Sequence, residues 1–92
     1  IELDPNFVHA HSSLAYVYHQ QGKLMEAITQ NLKVLEIAPN DLVSHQNLAV
    51  IYDQVGMVDK AISEAQIALR LAPADQQPRL RAFLEDLQKR GR

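Results

Sequence analysis

Apolar residues return along this chain with helical spacing. Leu14, Ala15 and Tyr18 follow His11 at i+3, i+4 and i+7, and Leu48, Ala49 and Tyr52 follow His45 in the same way. A helix completes a turn in about 3.6 residues, so positions spaced like this share one face. Leu80, Phe83, Leu84 and Leu87 form a third stripe of this kind near the C-terminus. Between the stripes, Leu24, Ala27, Ile28, Val34 or Leu35, and Ala38 mark another apolar face, whose counterpart returns through Ala61, Ile62, Leu69 and Ala72. The pattern predicts helices separated by short turns.

The punctuation agrees with the stripes. Gly22 and Gly56 follow the first two stripes and can take positive φ at a helix end without a Cβ penalty. Pro39 and Pro73 forbid continuation of the intervening helices, and Asn40 or Asp41 is placed to cap the next one.

These signals belong to one internal repeat. Sliding residues 8–41 onto 42–75 leaves twelve of 34 positions identical, where chance gives about two. The matches are His11/His45, Leu14/Leu48, Ala15/Ala49, Tyr18/Tyr52, Gln20/Gln54, Gly22/Gly56, Ala27/Ala61, Ile28/Ile62, Leu35/Leu69, Ala38/Ala72, Pro39/Pro73 and Asp41/Asp75. Each repeat therefore reads as a hairpin of a leading and a trailing helix. Short turns make the two antiparallel neighbours. Ala15, Ala27, Ala49 and Ala61 let the axes approach, while Tyr18 and Tyr52 fill the gap between hairpins.

The ends extend the pattern. Residues 1–7 read as the end of a preceding repeat, because LDP at 3–5 lies 34 residues before IAP at 37–39. Residues 76–92 read as a third leading helix, displaced by 35 rather than 34, with Gly91 as its stop. Its remaining faces carry Arg79, Arg81, Glu85, Asp86, Gln88, Lys89 and Arg90, which suits a solvated cap on a stack. The expected fold is all-α: an α-solenoid of antiparallel helix hairpins with five helices in all.

A period of 34, a small residue after the leucine, an aromatic three positions on, then glycine, alanine and a closing proline: this pattern resembles the tetratricopeptide repeat across the whole chain. Two positions depart from it. Histidine (His11, His45) stands where an aromatic is usual early in the leading helix, and Asn31 or Ala65 where one is usual midway along the trailing helix. The resemblance implies a right-handed superhelix whose leading helices line a concave groove that binds an extended peptide or partner helix.

By that resemblance the groove residues are His9, Ser12, Ser13, Tyr16, His19 and Gln20 in the first leading helix. Val43, Gln46, Asn47, Val50, Asp53 and Gln54 follow in the second, and Arg81 and Glu85 in the third. The lining is mostly neutral, with amides and hydroxyls beside modest apolar groups, and suits a protein or peptide partner of neutral or mixed charge. The repeats that grip a chaperone's C-terminal carboxylate use lysine, arginine and asparagine where this chain has Ser12, Tyr16, Asn47, Pro78 and Ala82. Only Asn47 matches. A carboxylate needs charge-assisted donors to offset its desolvation, so that specificity is not expected. An asparagine ladder of the kind found in glycosyltransferase-linked arrays is likewise broken at Ser13 and Ala82.

Composition narrows the reading further. Ninety-two residues make one small unit, 47% hydrophobic, with no apolar run long enough to cross a bilayer and no signal-peptide pattern at its start. Direct membrane insertion is not expected, and a soluble, cytoplasmic setting is preferred to a secreted one. No cysteine is present, so disulfides and thiolate chemistry are excluded. Residues 1–75 carry four Lys/Arg against nine Asp/Glu, while 76–92 carry five against two. The acidic body and the lack of aromatics among the basic residues argue against nucleic acid as a partner.

His9 and His11 diverge on a helix, whereas His11 and His45 occupy matching repeat positions and read as packing residues and potential neighbours rather than metal ligands. No phosphate loop, nucleophile elbow or HExxH is present, and Ser12, Ser13, Ser44 and Ser63 lie within predicted helices. The expected function is a non-enzymatic protein-interaction scaffold needing no cofactor or metal. The alternative is an accessory domain that recruits substrate to a larger enzyme such as a transferase. The outer side of the first repeat, near Ala10 and Val17, is expected to be adhesive and to support weak homo-oligomers.

Overall fold

The computed structural model describes residues 5–91. Five helices follow in order, α1 (Pro5–Gln20), α2 (Leu24–Ile37), α3 (Leu42–Gln54), α4 (Val58–Leu71) and α5 (Gln77–Arg90), and no strand occurs among the described residues. Each helix packs chiefly on its neighbours in the chain, giving the hairpins α1–α2 and α3–α4 with α5 closing the stack. α1 starts at Pro5, three residues ahead of the first repeat boundary at residue 8, and what was expected of residues 1–4 lies outside the described residues.

Both hairpin turns are built alike. Gly22 and Gly56 sit at φ 77° and 84°, a conformation open to glycine and strained for other residues. The glycine N–H donates three residues back, Gly22 to His19 O and Gly56 to Asp53 O, each at 3.1 Å. The next N–H reaches five residues back, Lys23 to Tyr18 O and Met57 to Tyr52 O, each at 2.8 Å. This pair of bonds closes the orphan carbonyls of the leading helix and reverses the chain. At the entry to α3, Asp41 is the cap: its Oδ2 accepts from Ser44 N at 3.0 Å and from Ser44 Oγ at 2.7 Å.

The core runs along the hairpin interfaces. Ala27, Ala61, Ala65 and Ala68 are fully buried, and Ala15 and Ala49 nearly so, where the absence of a long side chain lets helices meet. Leu48, Ile51 and Leu87 are the bulky side chains sealed within it, each gaining about 1.5–3 kcal/mol from leaving water. Asn31 stands buried where the repeat pattern usually has an aromatic, and its Nδ2 donates to Ala27 O at 3.1 Å, so this polar side chain is hydrogen-bonded.

Two expectations from the stripes change in the structure. Leu14 is not sealed like its counterpart: it is 38% exposed while Leu48 is 0%, because α3 has the α1–α2 hairpin against its outer flank and α1 has no described element there. Gly91 does not act as a left-handed stop. A Cβ on it would lie 3.1 Å from Val58 Cγ1, so this glycine allows the end of α5 to press against α4. His11 and His45, read as packing residues and potential neighbours, each bond within their own hairpin, His11 to Gln30 and His45 to Glu64.

Candidate functional site

The expected groove residues sit on the leading helices α1, α3 and α5 with graded exposure. In α1, Tyr16 is 63% exposed, His9, Ser13 and Gln20 are exposed, and Ser12 and His19 are half-buried. In α3, Val43 and Val50 are 57% and 37% exposed and Gln54 is exposed, while Gln46, Asn47 and Asp53 are half-buried. Arg81 and Glu85 of α5 are both exposed.

Some of these side chains tie the leading helices together. His19 Nε2 pairs with Gln54 Oε1 at 2.9 Å, joining α1 to α3. Arg90 joins α5 to α3: its Nη1 and Nη2 donate to Asp53 Oδ1 and Oδ2 at 2.9 and 3.0 Å, and its Nε donates to Asp86 Oδ2 at 2.9 Å. The bidentate fork adds a geometrically specific bridge between α5 and α3 on top of their core packing. The hydrogen bond to Asp53 raises the guanidinium further above its usual range, partly opposed by desolvation. Asp53, His19 and Gln54 are thus engaged in bonds between helices, whereas Tyr16, Val43 and Val50 are the exposed apolar side chains of this face.

Between α3 and α5 this face opens into a cavity of about 320 Å³, lined by Gln46, Ala49 and Val50 on one side and Arg79, Leu80 and Phe83 on the other. An adjoining hollow of about 370 Å³ shares Gln46, Arg79 and Leu80 and adds Asp75 and Gln76. Sequence reasoning assigned Phe83 to the packed stripe and Arg79 to solvent, and so missed both. Their signal was the spacing of Arg79, Phe83, Asp86 and Arg90, which places one flank of α5 toward α3. A larger hollow of about 550 Å³ lies on α4, lined by residues of α4 and α5 alone, and includes no residue of α1 or α3.

The repeat-matched histidines have a structural use. His45 is buried, with Nδ1 at 2.6 Å from Glu64 Oε1 and Nε2 at 2.8 Å from Pro39 O, so it links α3 to α4 and to the loop before it. His11 Nδ1 meets Gln30 Oε1 at 2.5 Å in the matching place of the first hairpin. Phe7 packs edge-on against the His11 ring, with centroids 4.3 Å apart. Tyr52 lies beside the His45–Glu64 pair, and burial, reinforced by the Glu64 charge, pushes its phenol above the ordinary value of 10.0. Among the described residues no group of three or more His, Cys, Asp or Glu stands together as a metal set, and no helix is long and apolar enough to cross a membrane.

A comparison with curated proteins finds no match. The family model for the tetratricopeptide repeat matches residues 1–29 and 31–63. Each matched unit takes in one leading helix, α1 or α3, and the opening turns of the trailing helix after it. With more than half of its length matched by two such units, and with two hairpins stacked as the repeat requires, the chain belongs to the tetratricopeptide-repeat family, whose repeats mediate protein–protein interaction.

Proposed function

We propose that this chain is a non-enzymatic scaffold that binds a segment of a partner protein along the face formed by α1, α3 and α5. The observation that carries the reading is the cavity between Val50 and Phe83, floored by Ala49 and bordered by Gln46 and Arg79. It offers an apolar side chain of the partner a place to enter. The amides of Gln46 and Asn47 lie nearby on α3 for the partner's backbone. Tyr16 and Val43 extend the apolar surface along the neighbouring turns.

The charges on this face support a neutral or mixed partner. Asp53 is neutralised by Arg90, and Arg79 faces the same hollow as Asp75, so neither sign dominates. A strongly acidic or basic ligand, nucleic acid included, would leave most of its charge without a counterion here.

The test is a triple substitution, Tyr16→Ala, Asn47→Ala and Val50→Ala, read by affinity capture of partners with helix content checked by circular dichroism. Bound partners are expected to be lost while the fold persists. Undiminished capture by a folded triple variant would remove this face from the account.

A further inference from the structure

The two basic side chains that α5 turns toward α3 are used differently. Arg90 is held by two carboxylates, Asp53 and Asp86. Arg79, eleven residues earlier on the same helix, is exposed, and no carboxylate among the described residues lies within ion-pair distance of it. It stands where the apolar cavity of Val50 and Phe83 meets the adjoining polar hollow, since it lines both. Gln46 also lines both, is half-buried, and makes no side-chain hydrogen bond among the described residues. The apolar wall is equally unfinished. Phe83 occupies in α5 the stripe position that Leu48 occupies in α3, 35 residues earlier, yet Leu48 is 0% exposed and Phe83 only half-buried.

We propose that the partner segment accepted here is extended and carries a bulky apolar side chain and, two residues from it, a single side-chain carboxylate. The apolar group enters between Val50 and Phe83, and the carboxylate pairs with Arg79. This inference rests on the scaffold reading and names the chemistry of the partner. An extended segment follows from Gln46: a strand-like backbone has N–H and C=O groups to exchange with that amide, whereas a helix has already paired its own. Spacing follows from the strand, in which residues two apart share a face and lie about 7 Å from each other, matching two hollows that adjoin. The number of charges follows from Asp75, which lines the polar hollow with Arg79 and opposes a run of acidic residues. One carboxylate satisfies the guanidinium; a second has no cation left in this hollow.

The test is an array of synthetic decapeptides, acetylated and amidated so that their only carboxylates are side chains. Each carries Leu, Met, Phe or Ser at a central position and Asp, Asn or Lys two residues away. Against the 92-residue chain, the peptides pairing an apolar centre with Asp are expected to bind most tightly. Replacing the apolar centre by Ser should weaken binding more than about tenfold. Replacing Asp by Asn should weaken it about three- to tenfold, the effect of a charge-assisted bond near solvent. Against Arg79→Gln that Asp-to-Asn difference should shrink below about twofold, and Arg79→Glu should favour Lys over Asp. Arg79 is exposed, so both variants are expected to keep the helix content of the unsubstituted chain.

Peptides that bind, and are lost by the Tyr16→Ala, Asn47→Ala and Val50→Ala triple variant, but show no preference for Asp over Asn would overturn this inference and leave the scaffold reading standing. The same holds if the Asp preference survives Arg79→Gln undiminished, if Ser serves as well as Leu, or if no member of the array binds. Binding that the folded triple variant retains in full would remove this face from both.

Discussion

A single substitution between the repeats, glutamine for glutamate, distinguishes two matching histidine bonds, of which that of His45 is buried and backed by a second bond to Pro39 O. His11 pairs with Gln30 and His45 with Glu64, so an amide oxygen and a carboxylate do the same job 34 residues apart. An amide at position 64 should therefore serve. Glu64→Gln is expected to change stability by less than about 1 kcal/mol, whereas Glu64→Ala leaves a buried ring nitrogen unpaired and should cost about 1–3 kcal/mol in urea unfolding. Tyr52, close by, gives a pH signature. Its phenol is raised above 10.0 by burial and by Glu64, so the folded state holds the proton more tightly than the unfolded one. The stability this confers is complete below 10.0 and is lost as pH climbs through the folded-state value. Against a Tyr52→Phe variant, the unsubstituted chain should lose more stability across that alkaline range, and its slowest phenol to ionise in a spectrophotometric titration should be Tyr52.

The hairpin as an element depends on its turn. Gly56 holds φ 84° with nothing within 4 Å of where a Cβ would lie, so the obstacle to a side chain there is conformational and not steric crowding by neighbours. Gly56→Ala should destabilise by about 1–2 kcal/mol, the usual penalty for a left-handed residue with a Cβ, with no change in helix packing by amide exchange. Gly91 differs in kind. Its φ is ordinary, and Val58 Cγ1 would lie 3.1 Å from its Cβ, so what a side chain there would disturb is the contact between α4 and α5. Glycine after a helical stripe was legible as a stop in all three places. Whether it served backbone freedom or close approach was not, because that depends on which atoms of another helix lie opposite.

At the scale of the whole molecule, position within the stack governs what a repeated residue is worth. Leu14 and Leu48 are the same residue of the same repeat, yet one is 38% exposed and the other 0%. Leu48→Ala should cost about 2–5 kcal/mol, as deletion of a sealed aliphatic side chain does, while Leu14→Ala should cost under about 1 kcal/mol. Comparable losses, measured by thermal unfolding under dilute conditions, would mean that α1 is covered after all. The Asp53–Arg90 fork and the His19–Gln54 bond belong to this scale too, since they bridge leading helices that the core already places side by side.

By itself the sequence determined the five helices, the hairpin pairing and the family, because periodic burial, glycine turns, proline stops and small-residue contacts are local and recur at a fixed offset. Only the tertiary structure decided which copies of the stripe are sealed, and which side chains of the leading helices are occupied in bridging helices. It also decided that Arg79 and Phe83 of α5 complete the cavity with Gln46 and Val50 of α3. The reason is physical: a repeat specifies what each hairpin offers to a neighbour, but exposure and pairing depend on which neighbour is present.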